Sequence, residues 1–201
     1  WEAVITPVVD FALTLPGVDP ARIALRGESL GGYLGPRAAA FEHRLAAVIA
    51  NDGVFDYGAA NFSAVPEAQR APLIAMLKAG GSPEIDDQIR AGMARSPVAR
   101  WSITHGIWCF GATGPGDYLR KTLDYTLADG IAEQIRCPTL VCDAEGDLFF
   151  KGQPQMLFDH LTCKKTLMTF SNAEGAGAHC SVGAARLSNA RMFDWLDEVL
   201  Q

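Results

Sequence analysis

The stretch ALRGESLGGYL, residues 24–34, carries the pattern G-x-S-x-G at Gly27, Ser29 and Gly31. Its surroundings decide how the rest of the chain reads. Before it, RIALRG (22–27) is a short apolar run with strand character. After it, residues 30–41 read as a helix rich in alanine, with Pro36 marking an early kink. LAAVIAND (45–52) follows as a second buried-type strand, which completes one strand–helix–strand unit of a parallel sheet. Glycine makes up 20 of 201 residues, so the bare pattern is a weak signal. Its place between a strand and a helix is what a nucleophile elbow requires. Such a bend strains the serine backbone, and small neighbours at Gly27 and Gly31 let strand and helix approach closely. Ser29 Oγ is then expected above the carboxyl end of the sheet, with the Leu30 N–H at the helix N-terminus as oxyanion donor.

Working outward, residues 1–15 read as a helix ended by Pro16-Gly17. Residues 51–134 hold several short helix-period segments with proline and glycine punctuation and no good strand. CPTLVCDAE (137–145) restores the sheet, 153–161 is a helix, KTLMTFS (165–171) is a fourth strand, and 185–200 is a long amphipathic helix. The order strand–helix–strand, helical insertion, strand–helix–strand–helix predicts an α/β fold with a parallel sheet of about four strands. The expected organisation is 1–50 as the first part of the core, 51–134 as the insertion, and 135–201 as the second part. Trp101, Trp108, Phe110, Tyr118 and Tyr125 are read mainly as the insertion's own packing, with lining a cavity as the alternative.

A serine hydroxyl needs a base at neutral pH. Of His43, His105, His160 and His179, only His179 lies in a glycine- and alanine-rich loop after the last strand, where it can return over the sheet. The base needs an orienting acid. Asp147, in the loop beyond the third strand, is favoured over Asp143 and Glu145. The chain order Ser29, Asp147, His179 is nucleophile, acid, base. Glu28, Tyr33, Trp108 and Glu174 are candidate substrate contacts, with Glu174 the foremost polar one and a structural role the default for each.

Net charge is −6 and the basic residues are scattered, which argues against nucleic acid or an anionic membrane as partner. The odd number of cysteines, five, without a C-x-x-C pair, reads as free thiols in a reducing, cytoplasmic setting. No metal-ligand spacing occurs among the histidines, and neither metal nor cofactor is expected.

The segments VDPARIALRGESLGGYLGPRAAA, IRCPTLVCDAEGDLFF and AEGAGAHCSVGAARLSNARMFDWLDEVL resemble the α/β-hydrolases. The likeness is to the branch holding esterase-like and acyl-peptidase-like proteins, fermentation-respiration switch proteins and 2,6-dihydroxypseudooxynicotine hydrolases, which cleave a carbon–carbon bond. The resemblance implies Ser29 as nucleophile, His179 as base, Asp147 as acid and 51–134 as a lid. It implies hydrolysis of a small-molecule acyl compound, an ester first, then an amide or a carbon–carbon bond. A non-catalytic binding protein on the same fold is the rival class. Members of this fold carry further strands before the helix at residue 1, and a glycine-rich loop that supplies the second oxyanion N–H. The sequence is therefore expected to be the carboxyl-terminal part of a longer enzyme. The remainder would come from the parent chain or a second polypeptide, without which the strand carrying Ser29 is an exposed apolar edge, and a homo-oligomer is the further partner expected.

Overall fold

Four runs of apolar, partly β-branched residues form one wholly parallel sheet in the computed structural model, which describes residues 1–201. They are β1 (Ala24–Glu28), β2 (Ala47–Asn51), β3 (Thr139–Ala144) and β4 (Lys165–Phe170), in the spatial order β1-β2-β3-β4. Every residue of the inner strand β2 is buried, and β3 nearly so, whereas β1 and β4 at the two edges are half-buried. That gradient explains why the inner strands read as continuous apolar runs rather than alternating ones: helices cover both faces. The cover comes from α2 (Gly31–Ala39) against β1 and β2, a helix over Gln153–His160 against β3 and β4, and a last helix over Ala185–Val199, while α1 (Glu2–Ala12) packs on α2. On one face, Ala47 and Ile49 of β2, Leu140 and Cys142 of β3 and Phe170 of β4 pack against Met192 and Trp195 of that last helix. On the other face, Gly35 of α2 lies against Leu25.

The chain divides into two compact units, one of residues 1–56 and 126–201 and one of Tyr57–Tyr125. The second unit is helical throughout: α3 (Tyr57–Asn61), α4 (Glu67–Lys78), α5 (Pro83–Arg95), α6 (Pro97–Cys109) and α7 (Pro115–Thr122). The helices α5 and α6 each start at a serine, Ser82 and Ser96, whose hydroxyl accepts a backbone N–H three residues on, followed by proline at the first helical position. Phe62, Leu77 and Ile85 make one buried cluster of this unit. The Phe110 ring packs on Tyr118 and Tyr125 at 5.3 and 4.9 Å. The aromatic residues therefore divide: Tyr118 is fully buried, whereas Trp101 and Trp108 are 63% and 79% exposed. With His105 between them the two tryptophans border a hollow of about 580 Å³. The insertion is shorter than the sequence pattern suggests. Residues 51–56 and 126–134 lie in the first unit, where Leu127 N–H donates to Phe55 O at 2.8 Å and both Val54 and Leu127 are buried. Helix-period apolar residues mark helices, not the unit to which a helix-flanking segment belongs.

The remaining helices are α8 (Gln153–His160) and α9 (Ala185–Val199). The first helix ends at Ala12, short of the expected Leu15, and its outer residues Val4, Val8 and Phe11 are exposed. Pro36 sits inside α2, where it leaves the carbonyl of Gly32 without its helical donor. The Val54 N–H takes that carbonyl at 3.2 Å, so the proline links α2 to the segment after β2.

All five cysteines are free: Cys109 is exposed, Cys137 and Cys163 are half-buried, and Cys142 and Cys180 are buried. Burial pushes the Cys137 thiol up to about 11 and Cys142 higher still. Ellman's reagent is expected to modify Cys109 first in the native protein, and Cys137 and Cys142 only on unfolding, because the thiolate is the reacting form. Peptide mapping of the first adduct checks this, and early modification of Cys142 would contradict it.

Candidate active site

The segment leaving each strand's carboxyl end carries one polar residue of the site: Ser29 directly after β1, Asp52 directly after β2, Asp147 in the loop after β3 and His179 farther along the loop after β4. In a parallel sheet all these ends lie along one rim, where open α/β sheets bind their ligands. Ser29 holds φ of +59°, a left-handed value that a non-glycine residue adopts at a cost of about 1–2 kcal/mol. The bend is fixed from both sides, since Ser29 N–H donates to Asn51 O at 2.6 Å and Gly32 N–H to Ser29 O at 2.7 Å. A Cβ on Gly27 would lie 1.9 Å from Gly31 O, and one on Gly32 would lie 1.7 Å from Asp52 O. Gly31, the second glycine of the pattern, has open space where its Cβ would be. The close approach is thus made by Gly27 and Gly32, not by Gly27 and Gly31 as the motif reading has it.

His179 connects three of these loops. Its Nε2 lies 2.9 Å from Ser29 Oγ, and its Nδ1 lies 3.1 Å from both carboxylate oxygens of Asp147. The loop bearing Asp147 is stitched to the one bearing His179. Gly146 N–H donates to Gly177 O at 2.8 Å, and Asn172 N–H donates to the Glu145 carboxylate at 2.7 Å. Gly177 is sterically required there, since a Cβ would meet Asn172 Oδ1 at 2.3 Å. Asp147 is buried and accepts the Phe149 N–H at 2.7 Å. The Phe149 and Phe150 rings stand edge-on to the imidazole at 4.8 and 5.4 Å, which holds its plane. Burial works to raise the Asp147 pKa, but the hydrogen bonds from His179 and Phe149 outweigh it and keep the carboxyl below its ordinary range. Burial works to lower His179, and the carboxylates of Asp147 and Asp52 overcome it, so its pKa is raised.

Asp52 is the residue that sequence reasoning missed. It is fully buried, its Oδ2 lies 3.2 Å from His179 Nδ1, and it accepts the Cys180 N–H at 2.9 Å. The signal was an Asn-Asp pair ending a buried apolar strand next to the strand of the elbow. Cys180 Sγ also lies 3.4 Å from His179 Nε2. Asp52, His179 and Cys180 together offer oxygen, nitrogen and sulfur atoms within 4.8 Å of one another, a set that could ligate a cation. Both ring nitrogens of His179 are already engaged, so an ion on either would displace the hydrogen bond to Ser29 or those to Asp147.

The other candidates are placed as follows. The Ser29 N–H is committed to Asn51 O, whereas that of Leu30, which caps α2, is committed to no carbonyl. Glu28 pairs with Arg26 at 3.2 Å and is exposed. Tyr33 is buried, its hydroxyl 3.5 Å from Thr126 O. Trp108 belongs to the helical unit. Glu174 accepts the Ser171 N–H and hydroxyl on one oxygen and Arg191 on the other, so it braces its own loop. Of the remaining histidines, His43 is bonded to Ala40 O, His160 stacks on Phe55 and meets Glu133, and His105 stacks on Trp101. Asp143 stays within β3 and Glu145 is tied to Asn172.

The site can move a proton from an alcohol at Ser29 to a ring held by carboxylates, beside a free N–H at a helix start. No protein-family model matches the chain. It is 32% identical over 98% of its length to the hydrolase LUC6 of a Fusarium species, and covers 49% of that protein. It is also 32% identical, again over 98% of its length and 49% of the relative, to the 20-hydroxy-prefusarin hydrolase FUS2 of Gibberella moniliformis. The chain thus spans about half the length of the curated relatives it matches. The crystal structure of the 2,6-dihydroxy-pseudo-oxynicotine hydrolase has the same fold, with a TM-score of 0.67 at 21% identity over 99% of this chain and 46% of that one. No helix is long and apolar enough to cross a membrane. The chain thus has the α/β-hydrolase fold, and in sequence it is similar to these curated hydrolases.

Proposed function

We propose that the protein is a serine hydrolase that cleaves a carboxylic ester, or a related acyl compound, through an acyl-enzyme on Ser29. The observation that carries this reading is the single imidazole lying 2.9 Å from Ser29 Oγ and 3.1 Å from Asp147. Ser29 Oγ attacks the substrate carbonyl while His179 Nε2 accepts its proton. Asp147 holds the Nδ1–H and offsets the charge of the imidazolium. The Leu30 N–H donates to the oxyanion. His179 then protonates the leaving alkoxide, and a water deprotonated by the same nitrogen releases the acid. The helical unit is proposed to select the substrate, the role expected of a lid. The β1 edge is proposed to be covered by further polypeptide, and full activity from a stable monomer of the 201 residues alone would reject that.

The test is labelling by a fluorophosphonate in the full chain, compared with Ser29→Ala, followed by a panel of p-nitrophenyl esters, aminoacyl anilides and aryl ketones. Ser29-dependent labelling with turnover of the esters supports the reading. Turnover of only the anilides or the ketones assigns amide or carbon–carbon cleavage instead, and absence of labelling favours a binding protein. The pH profile has a defined sign. The base acts as neutral imidazole, and the adjoining carboxylates raise its pKa above the ordinary 6.5. The acid limb of kcat/KM is therefore expected above pH 6.5. A limb below that value would mean that the carboxylates do not act on the ring.

A further inference from the structure

We propose that Asp52 is a second positioning carboxylate for His179, sharing the Nδ1–H with Asp147 and able to hold the imidazole by itself. The proposal rests on the serine-hydrolase reading for its catalytic consequence, and on geometry alone for the contact. Asp52 Oδ2 stands 3.2 Å from Nδ1, within ion-pair reach, while both Asp147 oxygens meet Nδ1 at 3.1 Å in hydrogen-bond geometry, so the ring sits between two carboxylates with Asp147 the better aligned. The two acids approach from neighbouring strands, β2 and β3, whose register pairs Ala50 with Val141. Asp52 is wholly buried and its Oδ1 has no hydrogen-bond partner. A buried carboxyl oxygen left in that condition is costly, and its retention beside a titrating ring calls for a reason.

The backbone around Asp52 supports the same role. Asn51 O accepts the Ser29 N–H at 2.6 Å and receives the Cys180 thiol at 3.4 Å. Asp52 Oδ2 accepts the Cys180 N–H at 2.9 Å, at a point where Cys180 and Ser181 both hold left-handed φ, +51° and +54°. The Asn51-Asp52 pair thus ties the nucleophile's bend to the base's loop, so the separation of Oγ and Nε2 is set partly by β2.

The competing role is structural: Asp52 could serve only to cap the Cys180 N–H. The two roles separate in Asp52→Asn, which keeps an oxygen to accept that N–H and removes from beside the ring a carboxyl whose pKa burial raises, with Asp147 adding to the rise and His179 opposing it. The groups facing His179 are Ser29, Asp147, Asp52, Cys180 and the rings of Phe149 and Phe150. Beyond them Cys142 acts on Asp52, and Asp143 with Asp147. Apart from the two aspartates in direct contact, none is a charged group bonded to the ring.

The experiment compares Asp52→Asn, Asp147→Asn and the double variant in the full chain. It uses kcat, KM and pH profiles on a p-nitrophenyl ester, and the His179 pKa read by NMR. Loss of a lone orienting aspartate costs roughly 10⁴-fold in kcat. With Asp52 as a second acceptor, Asp147→Asn is expected to cost about 10²-fold, Asp52→Asn about 10-fold at unchanged KM, and the double variant about 10⁴-fold. Each single change moves the acid limb down, and only the double variant brings His179 to or below its ordinary value near 6.5. The proposal is overturned if Asp147→Asn equals the double variant in both readouts. It is also overturned if Asp52→Asn lowers stability but leaves the pH profile and the His179 pKa where they were. The NMR measurement needs no turnover, so failure of Ser29-dependent labelling would remove the hydrolase reading without touching the contact.

Discussion

Ser29→Ala is expected to lower kcat on a p-nitrophenyl ester by on the order of 10⁵–10⁶-fold, the size of effect seen when a serine nucleophile is removed from an acyl-transfer site. Binding should change little, since the hydroxyl contributes to the transition state and not to the bulk of substrate contact. The substitution also leaves the backbone at φ +59°, so the bend stays strained in the alanine variant. Ser29→Gly separates strain from chemistry. It should be as inactive as Ser29→Ala. It should also be more stable than that variant by up to about 1 kcal/mol, because relief of a left-handed φ worth about 1–2 kcal/mol is partly offset by the larger chain entropy of glycine. Thermal unfolding of the two variants beside the parent checks this. An alanine variant that retains more than about a hundredth of the parent activity would show that Ser29 is not the nucleophile.

The second large effect concerns stability. Gly32→Ala would place a methyl group 1.7 Å from Asp52 O, and Gly27→Ala would place one 1.9 Å from Gly31 O. In both cases the obstacle is main chain, which cannot rotate away. Either the strand–helix approach opens or β2 shifts against it. Each change is expected to cost about 3–5 kcal/mol, a large part of a total stability of about 5–15 kcal/mol. For a chain of this size that lowers the midpoint by roughly 10 °C. Gly31→Ala is the internal control: its Cβ meets nothing within 4 Å, and a change below about 1 kcal/mol is expected. Because Gly32 abuts the Asp52 backbone, residual folded Gly32→Ala protein should also lose activity beyond what its folded fraction predicts. Equal melting temperatures for Gly31→Ala and Gly32→Ala would contradict the close approach.

Much of the architecture was legible because its signals are local. Four apolar runs separated by helix-period segments call for a parallel sheet, and strand polarity then puts the residue following each run on one rim. Combined with the G-x-S-x-G pattern and the loop positions of the one histidine and the acid, it selects Ser29, Asp147 and His179, and the structure has all three within hydrogen-bond distance. It does not select Asp52, although the same rule applies to β2. A polar residue at a strand end is usually a turn former, and nothing in sequence tells a carboxyl aimed at a ring from one aimed at water.

The sequence by itself determined the kind and order of the elements, and the bend at Ser29. These depend on side-chain period, glycine and proline, and strand direction, each of which acts over a few residues. Only the tertiary structure decided that Gly32 rather than Gly31 is the second tight glycine. Likewise, it alone turns Glu174 to Arg191, leaves Trp101 and Trp108 exposed, and sets two carboxylates on one imidazole nitrogen. Those outcomes depend on ångström-scale distances between residues far apart along the chain. Such distances are set by sheet register and by loops packing against one another, and no local pattern encodes them.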